Sequence, residues 1–433
     1  MKEIKKYFLG GLCEIGGKTD LMKKASIVSI GNELLSGQTI STNASYLSER
    51  LLSIGIPVVS SYTIGDDIDS IIQALNLASN DADMVLATGG LGPTDDDLTR
   101  QAFAKFLDTE LQLQSELLQK IQNFFTSRSR QMPEKCKVQA YIPAGAKTLA
   151  NNLGTAPGII AEANGKLLVA LPGVPSEMKQ MFEESVLPQL QRFVSGQAVV
   201  VRKLKCFGTS ESNIAELVGE LMQRGRNPLI NCTAELGVIT LTIIATAKGK
   251  IQAQQMAEKD VELLRNTLGE LVYGTGEQSL AEVVGEKLAQ QNKTIAVAES
   301  CTGGTLAKLI TDIPGASGYF TYGWITYSNN AKISELGISA DLIDKYGAVS
   351  EYVAQAMAQQ ARKKAGTDFA IGITGIAGPA GGTEQKPVGL VYISVDSGSG
   401  CETKRFIFSH DRKSIRFRAA LTALNMLRLK LRT

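Results

Sequence analysis

Ser300 and Cys301 stand side by side in Ala298-Glu299-Ser300-Cys301-Thr302-Gly303-Gly304, directly after the apolar run Thr294 to Val297. A strand running into a hydroxyl- and glycine-rich turn that opens a helix is where α/β proteins bind ligands, outside the carboxyl ends of their strands. The helix N-terminus adds unsatisfied N–H donors for an anion or oxyanion. Both residues are nucleophile candidates. A serine needs a base to take its proton, and His410 is the only histidine, so a lysine or a tyrosine has to be considered. Thr326-Tyr327-Ser328-Asn329-Asn330-Ala331-Lys332 supplies one of each. Lys332 serves as a base only when neutral, which requires desolvation or nearby cations to bring it well below the free value of ~10.4. The bland alternative for Lys332 is an exposed helix position. A third polar cluster, Thr374-Gly375-Ile376-Ala377-Gly378-Pro379-Ala380-Gly381-Gly382, offers glycine-rich backbone to a phosphate or a substrate pocket. The three clusters together point to acyl transfer without a metal.

A second constellation lies in the first third of the chain. Thr88-Gly89-Gly90-Leu91-Gly92-Pro93-Thr94 is followed by Asp95, Asp96 and Asp97, and Gly31-Asn32-Glu33 brings a further carboxylate to the same sheet edge. Gly89, Gly90, Gly92 and Thr94 suit the close approach of phosphate oxygens to backbone. Glu33, Asp96 and Asp97 are hard oxygen ligands suited to a divalent cation. The competing reading is a tight strand-to-helix turn with acids favouring a helix N-terminus.

These residues need sheets to carry them, and the apolar periodicity supplies the elements. Strands are expected at Ser26 to Ile30, Val58 to Ile64 and Asp83 to Ala87, with helices at Asn43 to Ile54 and after Asp66-Asp67. Such alternation implies a parallel sheet. Between about residues 171 and 276 the pattern becomes α+β, with strands at Val199 to Phe207 and Val238 to Ala245 and helices at Ser210 to Arg224 and Gln252 to Leu268; no chemistry-bearing cluster falls there. A further α/β unit runs from about Gln278. It has helices at Thr302 to Ile310, Asn329 to Leu336 and Ser350 to Ala365, with Ser350 as N-cap, and strands at Tyr319 to Tyr327, Phe369 to Ile373, Gly389 to Val395 and Lys404 to Phe408. Asp411 to Leu431 is a basic amphipathic helix with Ile415, Ala419, Leu421, Leu424 and Leu427 in the core and its charges expected on a solvated outer face.

At 433 residues the chain is long for one core and suggests about three domains. No apolar stretch approaches the ~20 residues of a membrane span, and Met1 to Leu21 lacks a convincing signal-peptide pattern, so it reads as an extension. Six cysteines without a C-x-x-C pair favour neither a disulfide framework nor a zinc site, and the expected location is a reducing cytoplasm. A net charge of +2 argues against a dedicated nucleic-acid binder and for small substrates.

Ala298 to Gly304, Tyr327 to Lys332, Gly347-Ala348-Val349-Ser350-Glu351, Thr374 to Pro379 and Lys386-Pro387-Val388-Gly389 together resemble the C-terminal domain of the CinA family, the nicotinamide mononucleotide deamidases. Gly31 to Leu35, Thr88 to Thr94, Gly154-Thr155-Ala156-Pro157-Gly158 and Leu171-Pro172-Gly173-Val174-Pro175 resemble that family's first domain. The resemblance covers nearly the whole chain from Met22.

It implies an α/β protein with an extension (1–21), a three-layer molybdopterin-binding-like domain (22–172), a small α+β KH-type middle region (173–276) and an α/β amidohydrolase domain (277–433), paired as a homodimer. It also implies hydrolysis of the carboxamide of nicotinamide mononucleotide to nicotinate mononucleotide and ammonia, a step of the pyridine nucleotide cycle that needs no cofactor. In the family the serine is the nucleophile, here Ser300, with Tyr327 and Lys332 beside it. Tyr327 is expected to orient the pair or relay its proton. Thr302, Gly303 and Gly304 are expected at the oxyanion, and Thr374, Gly375 and Arg412 at the substrate. The first domain is expected to cleave ADP-ribose with a divalent metal on Glu33, Asp96 and Asp97. The family commonly has threonine at Asn32 and lysine at Asp95, so this chain departs there. The rival readings are a non-catalytic nucleotide-binding module and, for the first domain, molybdopterin processing.

Overall fold

The computed structural model describes residues 23–190 and 198–431; the proposed extension 1–21 lies outside them. The strands of the first unit are β1 (Ala25–Ile30), β2 (Val58–Ile64), β3 (Met84–Thr88), the small pair β4 (Leu111–Leu113) and β5 (Tyr141–Pro143), then β6 (Lys147–Leu149), β7 (Gly158–Ala163) and β8 (Lys166–Leu171). The main sheet has the order β2-β1-β3-β8-β7-β6. Parallel pairing joins β2, β1, β3 and β8, whereas β7 and β6 return antiparallel. Side chains alternate across the sheet. Ala25 and Ile27 pack with Leu47, Leu51, Met178 and Phe182 on one face, while Val28 and Ile30 pack with Ile71, Leu75 and Phe103 on the other. The result is three layers, helices on both sides of one sheet.

Pro175–Met181 and Leu187–Leu190 are helical and bury Met178, Met181 and Leu190 against that first sheet. The first unit therefore extends past residue 172, because the apolar face of this segment has its partner there. The described residues form two compact units, one up to Val200 together with Thr246–Ala253, the other Val201–Ala245 together with the residues from Gln254 onward.

The second unit begins with β9 (Ala198–Phe207), β10 (Leu229–Glu235), β11 (Val238–Ala247) and β12 (Val272–Thr275), ordered β10-β11-β9-β12. Helices Glu211–Val218 and Lys250–Leu268 cover one face through Ile214, Val218, Leu264 and Leu268. Ser210 caps the shorter helix, accepting from Asn213 N at 3.2 Å. Periodicity alone does not reveal β10, whose Asn231, Thr233 and Glu235 leave it few apolar positions, or the four-residue β12.

The last sheet contains β13 (Ile295–Glu299), β14 (Phe320–Ile325), β15 (Phe369–Gly375), β16 (Leu390–Asp396) and β17 (Cys401–Ile407), ordered β14-β13-β15-β16-β17. Its first three strands are parallel and the last two antiparallel. Ile295 and Val297 face the cluster containing Leu306, Ile310 and the C-terminal helix Arg412–Lys430; Ala296 and Ala298 face Val353 and Met357 of the helix Glu351–Ala365. Ser350 caps that second helix, accepting from Val353 N at 3.3 Å. The C-terminal helix buries Ile415, Ala419, Leu421, Leu424 and Leu427 as expected, but not all of its charges stay on the outer face. Ten of its residues are buried, Arg428 among them, so its charges are in part directed into the structure. No helix among the described residues is long and apolar enough to cross a membrane.

Candidate active site

Central strand β13 carries the nucleophile turn. Ser300 N donates to Ile373 O of β15 (2.9 Å), so the turn leaves the sheet between two parallel strands. Gly303 and Gly304 take φ values of 57° and 90°, a left-handed path that favours glycine. The helix then starts at Thr305 rather than Thr302. Glu299 is fully buried, and its carboxylate accepts from Gly304 N (3.0 Å), Leu306 N (3.1 Å) and Ala307 N (2.8 Å). It satisfies three N–H groups of the turn and helix start, where negative charge is also favoured by the helix dipole.

Lys332 lies on Asn329–Leu336, a helix capped by Ser328, and is 1% exposed. Its Nζ is 3.0 Å from Ser300 Oγ and donates to Thr326 O at 2.8 Å. Neither partner is a carboxylate, and burial pulls the ammonium below the ordinary lysine value. The exposed-helix reading of this lysine fails. Cys301, in contrast, is buried among core side chains, and burial pushes its thiol up to about 12. A thiol of that kind is not a thiolate at neutral pH. Of the two neighbours, Ser300 is the one whose side chain meets the buried amine.

Of the expected oxyanion donors Thr302, Gly303 and Gly304, the two glycine N–H groups are already engaged. Gly303 N is committed to Ser300 O (3.0 Å), Gly304 N to Glu299 and Thr305 N to Thr302 O (3.2 Å). Among the described residues, the N–H groups of Cys301 and Thr302 carry no such bond and remain as donors beside Ser300. The hydroxyls of Thr302 and Thr326 are buried without a partner, the kind of unmet polar capacity that native structures keep for a purpose.

Tyr327 stands apart from the dyad. It is 59% exposed and its hydroxyl accepts from Arg412 Nη2 (2.7 Å), while Arg412 Nη1 donates to Gly378 O (2.7 Å). Among the described residues no hydrogen bond joins Tyr327 to Lys332; Tyr327 instead meets Arg412, which reaches the glycine-rich loop at Gly378 O. Thr374 is buried and donates to Ala348 O (2.8 Å), and a Cβ at Gly375 would lie 2.6 Å from Leu390 O. The Thr374 hydroxyl is thus engaged as a donor, and Gly375 has no room for a side chain. Sequence reasoning gave Glu299 no role, although it directly precedes the nucleophile, and counted Arg416 among the solvated charges. Arg416 instead donates to Thr302 O through Nε (3.1 Å) and Nη2 (2.7 Å).

In the first unit, Glu33, Asp66, Gly89, Gly90, Gly92, Asp96, Asp97 and Glu177 line a cavity of about 420 Å³. Thr94 and Asp95 do not line it. Asp97 accepts from Gly92 N (2.7 Å), Thr94 N (2.8 Å) and the Thr94 hydroxyl, and Gly89 N donates to Leu171 O (3.0 Å). Of the expected phosphate donors, Gly89, Gly92 and Thr94 are thus committed within the loop. Arg100, 2% exposed, braces that loop through Leu91 O and Gly92 O. The Asn32 backbone N–H donates to the Asp66 carboxylate (2.9 Å) and the Asn32 side-chain Oδ1 accepts from Asp66 N (3.3 Å), so this turn orients a carboxylate that the sequence reading treated as a helix opener. Burial, with repulsion from Glu33, Asp96 and Asp97, raises Asp66 above the ordinary carboxylate value. The charge suits a cation, but the expected ligand set is not assembled: among the described residues no three His, Cys, Asp or Glu side chains are placed to hold a metal ion together.

Comparison with known proteins finds three family models along the chain. Residues 26–192 match a family model described as "Probable molybdopterin binding domain", 201–274 the "Damage-inducible protein CinA KH domain" and 277–431 the "CinA C-terminal domain". A CinA-like protein of Dictyoglomus thermophilum is 44% identical over 405 residues, 94% of this chain and 98% of that protein. A CinA-like protein of Kosmotoga olearia is also 44% identical, with the same coverage. The crystal structure of a CinA protein of unknown function from Thermoplasma acidophilum is 34% identical, with a TM-score of 0.36 over 40% of this chain and 98% of that one. The chain belongs to the CinA family, as an α/β protein with a molybdopterin-binding-like first domain, a KH domain and a CinA C-terminal domain.

Proposed function

We propose that the C-terminal domain hydrolyses the carboxamide of nicotinamide mononucleotide to nicotinate mononucleotide and ammonia. The observation that carries this reading is the buried Lys332 Nζ, 3.0 Å from Ser300 Oγ and without a carboxylate partner. Neutral Lys332 takes the Ser300 proton as Oγ attacks the amide carbon. The tetrahedral oxyanion is met by the Cys301 and Thr302 N–H groups; loss of one such donor typically costs about 10² to 10³ in rate. Lys332 then passes the proton to the departing ammonia, and water, activated by the same amine, releases the acid from Ser300. The substrate's cationic ring makes its amide carbon more electrophilic. Arg412, held by Gly378 O and Tyr327, takes the phosphate through a charge-assisted pair. Nicotinamide mononucleotide incubated with the full chain and a chelator should yield nicotinate mononucleotide and ammonia in equal amounts. An unchanged nucleotide, or release of free nicotinamide, would overturn the assignment.

The acidic cavity of the first unit supports a separate reading, cleavage of ADP-ribose with a divalent cation. Five carboxylates line the cavity beside glycine-rich backbone, and an added cation would relieve the repulsion that adds to burial in raising Asp66. Cleavage that requires added divalent ion and is lost in Glu33→Gln is expected. Cleavage that persists in chelator would overturn it. Pairing of two chains and a cytoplasmic setting belong to the same proposal.

A further inference from the structure

A second cavity, of about 480 Å³, lies within the second unit, bounded by the end of β9, β17 and the C-terminal helix. Its volume falls in the range of small-molecule sites. Phe406 and Phe408 form one wall, with ring centroids 5.7 Å apart and planes within 12°; Leu271 and Met426 add apolar surface. The Arg418 guanidinium lies over the Phe408 ring, 5.5 Å from its centroid. Among the described residues it has no hydrogen-bond or ion-pair partner.

The other cations at the cavity are already engaged. Lys404 pairs with Glu402 at 2.8 Å. Arg428, 6% exposed, donates to Asn425 Oδ1 (2.9 Å), Val272 O (3.4 Å) and Glu270 O (2.6 Å). That arrangement orients Asn425 and leaves its Nδ2 as a donor at the wall. Glu270 is the one carboxylate lining the cavity. A half-buried guanidinium over an aromatic ring, with an oriented amide beside it, is suited to a planar ligand carrying negative charge.

We infer that this cavity binds a mononucleotide-sized anion, with its aromatic ring against Phe406 and Phe408 and its anionic group on Arg418 and Asn425. Nothing in the chemistry proposed for Ser300 requires the site, so the two stand or fall separately.

Hydrogen–deuterium exchange on the full chain, with adenosine monophosphate as the probe, tests it. Protection is expected in peptides covering 206–210 and 404–408, with adenosine alone and inorganic phosphate alone each markedly weaker. Arg418→Ala should raise the apparent Kd read at those peptides by about tenfold or more, as loss of a charge-assisted hydrogen bond would. Arg418→Gln, which keeps the side-chain bulk, serves if the alanine variant does not fold. No protection by adenosine monophosphate, equal protection in the Arg418 variants, or equal protection by phosphate alone would overturn the inference. Protection by a single-stranded oligonucleotide but not by the mononucleotide would also overturn it, in favour of a strand-binding face.

Discussion

Lys332→Met separates catalysis from folding at one buried atom. Methionine closely matches the length of the lysine stem and lacks the amine, so the variant removes the 3.0 Å contact to Ser300 and the 2.8 Å bond to Thr326 O while keeping most of the packing. A general base is worth about 10² to 10⁴ in rate, and ammonia release should fall within or beyond that range. Stability should move the other way or hold. The lost bond to Thr326 O costs about 1 kcal/mol. Burial lowers the lysine in the folded state, so at neutral pH the parent gives up about 1.4 kcal/mol for every pKa unit of that lowering. The sign follows from proton counting. The unfolded chain binds more protons at Lys332 than the folded one, so parent stability rises with pH between the folded value and the ordinary 10.5, and is penalised in full below that window. The variant lacks this dependence. Urea melts of both proteins across that window, paired with the pH profile of kcat/KM, check the reasoning; the parent's ascending limb should lie below the ordinary lysine value. A variant within tenfold of parent activity, or a parent destabilised by rising pH through this group, would refute it.

Four further outcomes follow. Cys301→Ala should keep activity within about threefold, and iodoacetamide should leave the native enzyme active, because the thiol is buried and held near 12; inactivation by alkylation at Cys301 would contradict this. Glu299→Gln should destabilise by about 2–3 kcal/mol and depress the rate, since an amide cannot accept from all of Gly304, Leu306 and Ala307 as the carboxylate does; a calorimetric scan and the ammonia assay read both effects. Arg412→Ala should raise KM for the nucleotide more than it lowers kcat, whereas Tyr327→Phe should change both only slightly, because the tyrosine hydroxyl contacts Arg412 and not the dyad. Gly304→Ala should cost about 1–2 kcal/mol for the left-handed backbone, with a further packing penalty from Ile325 Cδ1 at 3.0 Å from the new Cβ.

Much of the fold was legible because the central strands bury both faces and alternate with helices of clear apolar period. Val58–Ile64 and Asn329–Leu336 agree residue for residue, and Asp67, Ser210 and Ser350 cap the helices they announce. The antiparallel return of β6 and β7 is not a local signal, since it depends on which strand edge is free. At the site, Ser300 and Lys332 were readable from residue type and the shortage of histidine, but their 32-residue separation in sequence gives no distance. Tyr327 shows the limit of proximity in sequence: one turn before Lys332, it points to Arg412, 85 residues away. Glu299 and Arg416 act on backbone atoms of the turn, and nothing in a sequence marks which carbonyl or N–H a charged side chain will satisfy. The first domain's glycines and acids were readable as a loop, yet Asp97 binds Gly92 and Thr94 of that same loop.

The dyad itself is tested most directly by ammonia release from nicotinamide mononucleotide with purified Ser300→Ala and Cys301→Ala measured beside the parent chain. The predicted result is loss of turnover by about 10³ or more in the serine variant, with the cysteine variant close to the parent. Parent-like ammonia release by Ser300→Ala, or its loss in Cys301→Ala alone, would contradict the account.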